Sequence, residues 1–455
     1  MSAGDSSRSI GRLFPEILLH ISRKLIESGG TNQRPIPFIL SEVCVRWREL
    51  VLATPSLWTR IRIPYDFTHM VDEFNDPTPR IDPDTFLPVI EPFPEVVRYI
   101  RLMIQRSDSL PLVIHFRCLH NYPFSTPVFQ VLLDHIHRWG KFYFAGGNVF
   151  QMFRGREAPV LRVFDYDTQD ARRAQEFPFM SCPSLTQLRW PWPEVLPVPN
   201  RSISWKKLHS VRFPKISPSS AYKLLECAPE LLHLDCSLDG PDFYPSRFVT
   251  HAKLQRLNLH YTWLPSLILP HLSHLDVHFS DRFGLPEFFS RSGCMLQRLK
   301  ISDIRRADHL SSILCSQSCS SLTELSIDSF TVFLSNELLA ELTYTSDTSN
   351  VLCPNLKFLF VSNSCSTRGL FGHMIESRFV NSNSCLDHFE YQDGGMGVGV
   401  QSRHMGQIYS GEVYTGLWKD DVDMIFAIPN VNIRYTNMWL SVRRDKTGNG
   451  SIERC

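Results

Sequence analysis

The chain has 455 residues, 43% hydrophobic and 20% charged, with 47 lysines and arginines against 46 aspartates and glutamates. That composition suits a folded chain of about three domains and excludes a disordered polymer. A net charge of +1 lacks the basic excess of a nucleic-acid binder, and no apolar run approaches the roughly 20 residues that cross a bilayer.

The first ten residues are polar and hold no signal-peptide core. Twelve cysteines without a CxxC pair argue against a disulfide framework or a structural zinc site. The expectation is a reduced cytoplasmic or nuclear protein, without cofactor and without nucleic-acid or membrane partners.

The first predicted helix opens at Pro15, where a missing N–H costs nothing. Ile17, Leu18, Ile21 and Leu25 share one of its faces, and Ser28, Gly29 and Gly30 end it. A second helix runs from about Phe38, with Leu40, Val43, Cys44, Trp47 and Val51 at intervals of three and four. That spacing packs the Cys44 thiol beside Trp47. Thr54 and Pro55 read as an N-cap and first helical residue, opening a short third helix with Leu57, Trp58 and Ile61. Three short helices hide little, so Leu18, Ile21, Trp47 and Trp58 imply an apolar surface that a partner covers.

The segments LFPEIL at 13–18, VCVRWREL at 43–50 and PSLW at 55–58 resemble an F-box in order and spacing, over residues 11–63. Phe14 stands where the family usually has proline, with Pro15 following. The linker 26–42 is longer than in many members. Such an insertion is similar to the large F-box families of mushroom-forming fungi. The resemblance implies a three-helix unit that docks a Skp-family adaptor and, through it, a cullin. Leu13, Pro15, Ile17, Leu18, Val43, Trp47, Leu50 and Trp58 would be its core or docking residues.

Residues 64–94, rich in proline, aspartate and phenylalanine, read as irregular. A helix follows over 95–105, so 64–108 is a connector with a helix. A strand at 110–116, a helix at 128–138 and a strand at 141–145 come next. SLPL at 109–112, strand, helix, Arg138-Trp139 and strand also resemble the segment after the F-box in those fungal proteins.

From Leu161 one pattern recurs: leucine, then apolar residues three and five positions on. It starts at Leu161, Leu185, Leu208, Leu231, Leu254, Leu272, Leu296, Leu322, Leu356 and Leu386. A leucine-rich chain produces such matches by chance, so the steps between them carry the weight: 24, 23, 23, 23, 18, 24, 26, 34 and 30. Proline is 31 of 455 residues, yet it sits two before the leucine in five of ten units, at Pro159, Pro183, Pro229, Pro270 and Pro354. Ser217 and Ser335 read as caps of helices between strands. A strand plus a helix or turn in about 24 residues resembles a leucine-rich repeat. The asparagine usual eight residues after the first leucine is absent, with Gln169, Asp239, Thr262 and Ser280 at such positions. The unit from Leu254 to Leu272 is too short for a helix. The fold expectation is therefore α/β: an N-terminal three-helix F-box, then an irregular leucine-rich-repeat-like solenoid over 109–392, a shallow arc. An irregular tail at 393–455 follows. Its Gly394–Gly399 run has no preceding strand or following P-loop lysine, and 443–455 reads as a frayed end.

Catalytic constellations are weak. Ser204/Lys207, Tyr435/Asn437 and Lys446/Gly448 match S-x-x-K, Y-x-N and K-T-G, resembling the serine acylase set of penicillin-binding proteins. Ser204 precedes a predicted strand rather than lying on a buried helix, and Tyr435 and Lys446 are too close in sequence. No GxSxG, HExxH or Walker lysine occurs, and a non-enzyme is expected. His135 and His137 flank one residue and cannot face one metal. His274 and His278 share a strand face with Asp276 between them; such a row could hold zinc, but a solvated strand face explains it too, and no metal is expected.

The expected function is the non-catalytic substrate-recognition subunit of a Skp–cullin–F-box ubiquitin ligase. The alternative is a leucine-rich-repeat scaffold whose F-box does not bind. Alternation places His233, Asp235 and Ser237, then Arg256, Asn258 and His260, then His274, Asp276 and His278, then Arg298, Lys300 and Ser302 on one face. Three fixed cations and four histidines there face two aspartates. The patch is read as solvated, or as a cradle for an acidic or phosphorylated target protein. In the second case Arg256, Asn258, His260, His274, Asp276, His278, Arg298 and Lys300 bind it, more strongly below about pH 6.5 as the histidines charge.

Overall fold

A computed structural model describes residues 14–28, 36–63, 94–118, 125–146, 152–167, 176–192, 201–238, 248–260, 264–278, 284–302, 307–328, 334–344, 351–362, 367–380, 386–392, 417, 419–428, 432–436, 440–444 and 450–454. The expected connector at 64–93, the Gly394–Gly399 run and the positions tested for the missing asparagine at 169, 239, 262 and 280 lie outside them. The fold is α/β with parallel sheet, in two compact units, Met1–Lys215 and Ile216–Cys455.

In the first unit, helix α1 (Pro15–Ser28) is followed by α2 (Ile36–Val43) and α3 (Val45–Leu52). The single second helix expected from the spacing is broken at Cys44, whose φ of −163° and ψ of 173° are extended. The three-to-four spacing of Leu40, Trp47 and Val51 survives the break, so periodicity alone cannot reveal it. Cys44 is exposed, not packed against Trp47. The third helix is only a 3-10 turn, Pro55–Leu57, and Thr54 makes no side-chain cap. Its hydroxyl instead donates to the Leu50 carbonyl at 2.7 Å. Ile61 lies in strand β1 (Arg60–Ile63), which pairs in parallel with β2 (Leu112–Cys118).

Helix α4 (Pro94–Arg106) precedes β2, and α5 (Ser125–Leu133) precedes β3 (Trp139–Gly146). Strands β4 (Val163–Asp167), β5 (Gln187–Arg189) and β6 (Ser210–Ile216) complete this unit's sheet in chain order, every described pair parallel. Its core is aromatic: Trp139, Phe142, Phe144, Phe153, Phe164, Tyr166 and Trp190 are fully buried. Phe144 and Tyr166 stack across adjacent strands at 5.1 Å, an arrangement in-register pairing permits.

The second unit opens with α6 (Pro218–Cys227). The strands β7 (His233–Leu238), β8 (Arg256–His260), β9 (His274–His278), β10 (Arg298–Ser302), β11 (Glu324–Asp328), β12 (Phe358–Ser362) and β13 (His388–Gln392) follow, each parallel to its chain neighbour. Helices α7 (Leu285–Ser292), α8 (Ala307–Leu314), α9 (Asn336–Leu342) and α10 (Leu370–Val380) intervene. Between β8 and β9 the described residues hold only the 3-10 turn Leu264–Ser266 and the two-residue strand Leu267–Ile268, as the short spacing requires.

All ten leading leucines are buried, and so are the apolar residues three and five positions after each. The proline signal has a structural cause. Leu161, Leu185, Leu231, Leu272 and Leu356 each donate their N–H to the carbonyl three residues back, at 3.0–3.3 Å. Proline two before the leucine is the second residue of that turn, where its fixed φ is pre-set. Past the turn, one carbonyl per unit accepts two N–H groups from the next: Leu232 from Gln255 and Arg256, Gln255 from Ser273 and His274, Ser273 from Gln297 and Arg298.

Ser217 caps α6 by accepting from the Ser220 N–H at 3.3 Å, with Pro218 behind it, and Ser335 caps α9 through Leu338 N–H at 3.2 Å. Ser217→Ala is expected to lower stability by about 0.5–2 kcal/mol, read as a fall in the denaturation midpoint with unchanged secondary structure.

Residues 393–455, expected to be irregular, contain α11 (Lys419–Ala427) and three strands: β14 (Asn432–Thr436), β15 (Leu440–Arg444) and β16 (Gly450–Arg454). β14 continues the parallel order, placing Ile433 beside Phe389. β15 and β16 then pair antiparallel. The expected frayed end is thus strand over 440–444 and 450–454. α11 is tied back through Asp421, a fully buried carboxylate that accepts the Gly372 N–H at 2.7 Å and the Gly369 N–H at 3.3 Å, at the start of α10. A Cβ on Gly372 would lie 3.1 Å from Asp421 Cα, so close approach of the two helices needs glycine here.

Candidate functional site

Two surfaces carry the residues singled out in the sequence. On α1, one side is core: Leu18 is fully buried, and the Ser22 hydroxyl donates to its carbonyl at 2.7 Å. Beside it runs an apolar stripe at helical spacing, with Phe14 (73% exposed) just before the helix, then Ile17 (48%), Ile21 (36%) and Leu25 (41%). Val43 and Val45, flanking the helix break, are also exposed.

The eight expected core-or-docking residues therefore divide. Leu18, Trp47 and Trp58 are buried, Leu50 is half-buried, and Pro15, Ile17 and Val43 are exposed. Leu13 lies outside the described residues. Trp58 is anchored by its indole N–H on the Val51 carbonyl at 2.8 Å, beneath the Arg106 guanidinium at 4.3 Å, which fits a core role and no docking contact.

The second surface is the strand face of the second unit that points away from the buried leucines. Register sets its rows: His233, Arg256, His274, Arg298, Glu324, Phe358, His388 in one; Asp235, Asn258, Asp276, Lys300, Ser326, Phe360, Glu390, Arg434 in the next. The structure brings the named residues of β8 to β10 together as expected, with three corrections. Ser302 is buried rather than outward. Arg298 pairs with Glu324 at 3.3 Å, so the cationic bias ends at β11. Burial, and then the Arg256 charge, push the His233 and His274 pKa values below the ordinary histidine value. That direction works against the strengthening expected as these two histidines charge. The side chain of His260 lies outside the described residues.

Asp276 is pushed up by burial, against the pull of Lys300, and its Oδ1 is buried without a partner among the described residues. A depression of ≈ 230 Å³ opens beside the expected patch, over β10 to β13. Its walls include Arg298, Lys300, Glu324 and Glu390, and Phe358 and Phe360 line it. Phe358 stacks on His388 at 5.2 Å, and Glu390 accepts from His388 at 3.1 Å and pairs with Arg434 at 3.7 Å. The expected patch covers only the strands β7 to β10; the same alternation carried on to β12 points to Phe358 and Phe360.

Lys207 donates to the Pro183 carbonyl at 3.0 Å, and Ser204 precedes a 3-10 turn, not a buried helix. Lys446 lies outside the described residues. Among the described residues, no group of three or more His, Cys, Asp or Glu side chains is placed to hold a metal, and no helix is long and apolar enough to cross a membrane. Compared with known proteins, the chain matches no family model and no curated protein.

Proposed function

We propose that the chain is the substrate-recognition subunit of a Skp–cullin–F-box ubiquitin ligase and performs no catalysis itself. Residues 11–63 act as the F-box that docks a Skp-type adaptor. The strands from 109 onward act as an irregular leucine-rich-repeat-like solenoid that holds the target protein. The observation that carries the reading is the stripe of Phe14, Ile17, Ile21 and Leu25, exposed along α1 beside its buried residues Leu18 and Ser22. Contiguous exposed apolar surface of that kind marks a site where a protein partner docks. The solenoid reading is supported by parallel strands paired in chain order and by a proline turn two residues before the leading leucine in five of the ten units. Target binding is assigned to the depression over β10 to β13, where an aromatic floor lies between charges of both signs.

The test is co-purification with a Skp-type adaptor. Leu18 is buried, so Leu18→Asp would unfold α1 and report nothing on docking. Ile17→Asp with Ile21→Asp is expected to reduce adaptor recovery at least tenfold while leaving the melting temperature within a few degrees. Equal recovery from variant and wild type overturns the docking assignment and leaves the scaffold reading in its place.

A further inference from the structure

The depression over β10 to β13 has a shape and a charge pattern that select among guests. Register puts Ser326, a small residue on β11, in the middle of its lining. Lys300 of β10 stands on one side of Ser326 and Phe360 of β12 on the other. Glu324 and Asp328 lie two residues before and after it, on the same face of its own strand. Adjacent strands are about 4.8 Å apart, so Lys300 and Phe360 rise about 10 Å from each other with only a serine between them. A flat ring held between two walls needs about 3.5–4.0 Å for each contact. The slot therefore has the width of one ring.

Both walls have attraction left for such a guest. Phe358 is taken up by the His388 ring, whereas Phe360 has no ring partner among the described residues. The Lys300 charge acts on Asp276, but its ammonium makes no hydrogen bond or ion pair among the described residues. The other charges decide against an ionic guest. Arg298 pairs with Glu324 at 3.3 Å, Glu390 pairs with Arg434 at 3.7 Å, and Asp328 accepts from the Ser362 hydroxyl at 3.1 Å. An anion over Ser326 meets the carboxylates of Glu324 and Asp328 at the two ends of the slot, and a cation meets Lys300 at its side. A neutral aromatic ring is attracted by both walls, because it stacks on Phe360 and offers its other face to the Lys300 ammonium. An indole N–H or phenol O–H at its edge then finds a carboxylate oxygen at the end of the slot.

We propose that the depression seats one aromatic side chain of the target protein, a tryptophan or a tyrosine, above Ser326 and between Phe360 and Lys300. The inference rests on the assignment of this depression to target binding and specifies the kind of residue recognised there. A volume of ≈ 230 Å³ falls below the roughly 300–1,000 Å³ of sites that enclose a whole small molecule. It suits a single side chain presented by a larger partner. Anchors of this kind carry a large share of the energy of protein interfaces, and tryptophan and tyrosine are enriched among them.

The test uses the full chain and alanine–glycine peptides that differ at one central residue: tryptophan, tyrosine, leucine, arginine or glutamate. Saturation-transfer NMR at millimolar peptide reads which of them bind. The tryptophan and tyrosine peptides are expected to bind with dissociation constants on the order of 1 mM, and the other three about tenfold more weakly or less. Ser326→Leu fills the slot from the solvent side and should abolish the ring signal while leaving the melting temperature within a few degrees. Phe360→Ala should abolish it too, and Lys300→Met should weaken binding about threefold. An arginine or glutamate peptide that binds best and is lost in Ser326→Leu overturns the aromatic guest and keeps the depression as the target site. Leucine binding as well as tryptophan, or free indole binding more tightly than the tryptophan peptide, overturns the aromatic side chain as the guest. No binding by either aromatic peptide, or binding that survives both Ser326→Leu and Phe360→Ala, overturns the proposal and, in the second case, the assignment of the depression as well.

Discussion

Replacing Arg378 by methionine is expected to destabilise the second unit by roughly 3–5 kcal/mol, the cost of stranding a buried hydrogen-bond network. Arg378 lies on α10 and is 1% exposed. Its guanidinium donates to the Leu342 carbonyl at 2.7 Å, to Cys353 at 3.0 Å and to Leu352 at 2.5 Å, and lies 5.4 Å from the Tyr344 ring. Leu342 is the last residue of α9, so its carbonyl is one that the helix cannot satisfy itself. The other two belong to the segment leading into the Pro354 turn. Burial pushes the arginine pKa down, but an arginine starts so high that it stays charged. Methionine fills similar volume and leaves two buried carbonyls and the half-buried Leu352 carbonyl without this donor, each buried one costing about 1–3 kcal/mol. Lysine keeps the charge but not the fork, and should rescue only part of the loss. Denaturant unfolding of the three proteins measures this; a methionine variant within about 1 kcal/mol of wild type would show that the carbonyls find other donors.

The first unit uses the same device. Arg138 donates to the Ile104 carbonyl in the last turn of α4, to the Leu110 carbonyl and to the Ser107 hydroxyl. Neither arginine was legible in the sequence, because a buried cation that serves carbonyls looks the same, letter by letter, as a solvated one.

The strands were legible for a physical reason. Alternation puts the residues three and five positions after each leading leucine on one strand face, the leucine itself is buried in the turn before the strand, and burial of all three rows is what makes the pattern recur. Proline pre-sets the turn before the leucine, so two independent signals mark one place. The failures also have causes. RIRI at 60–63 is too short to show a period of two, and Leu57, Trp58 and Ile61 imitate a helical spacing beside it. β14 escaped because Asn430 stands where a leading leucine is needed, and because 44 residues separate Phe389 from Ile433. At the candidate target face, alternation located the charges correctly. It could not reveal that Arg298 is paired with Glu324 one strand on, nor that burial and Arg256 lower the His233 and His274 pKa values. Those depend on neighbours that only the register defines.

Leu299→Ala is expected to cost about 2–5 kcal/mol, by lost burial and the cavity left behind. Arg298→Ala, one residue away, should cost about 1 kcal/mol or less. Leu299 is fully buried in β10, between Leu275 on one neighbouring strand and Leu325 on the other, in the same register. Parallel pairing on both sides holds its surroundings, so the site collapses little when the side chain is shortened, which argues for the upper half of that range. Arg298 points the other way. Its ion pair with Glu324 is about half exposed on each side, so solvent screens most of its attraction. Leu257→Ala in β8, next to Leu234 and Leu275, should behave like Leu299→Ala, and Arg256→Ala like Arg298→Ala. Melting of the four variants separates the two faces. Equal losses at leucine and arginine would mean that the strand faces are reversed, and the assignment of the β10 to β13 depression to target binding would fall with them.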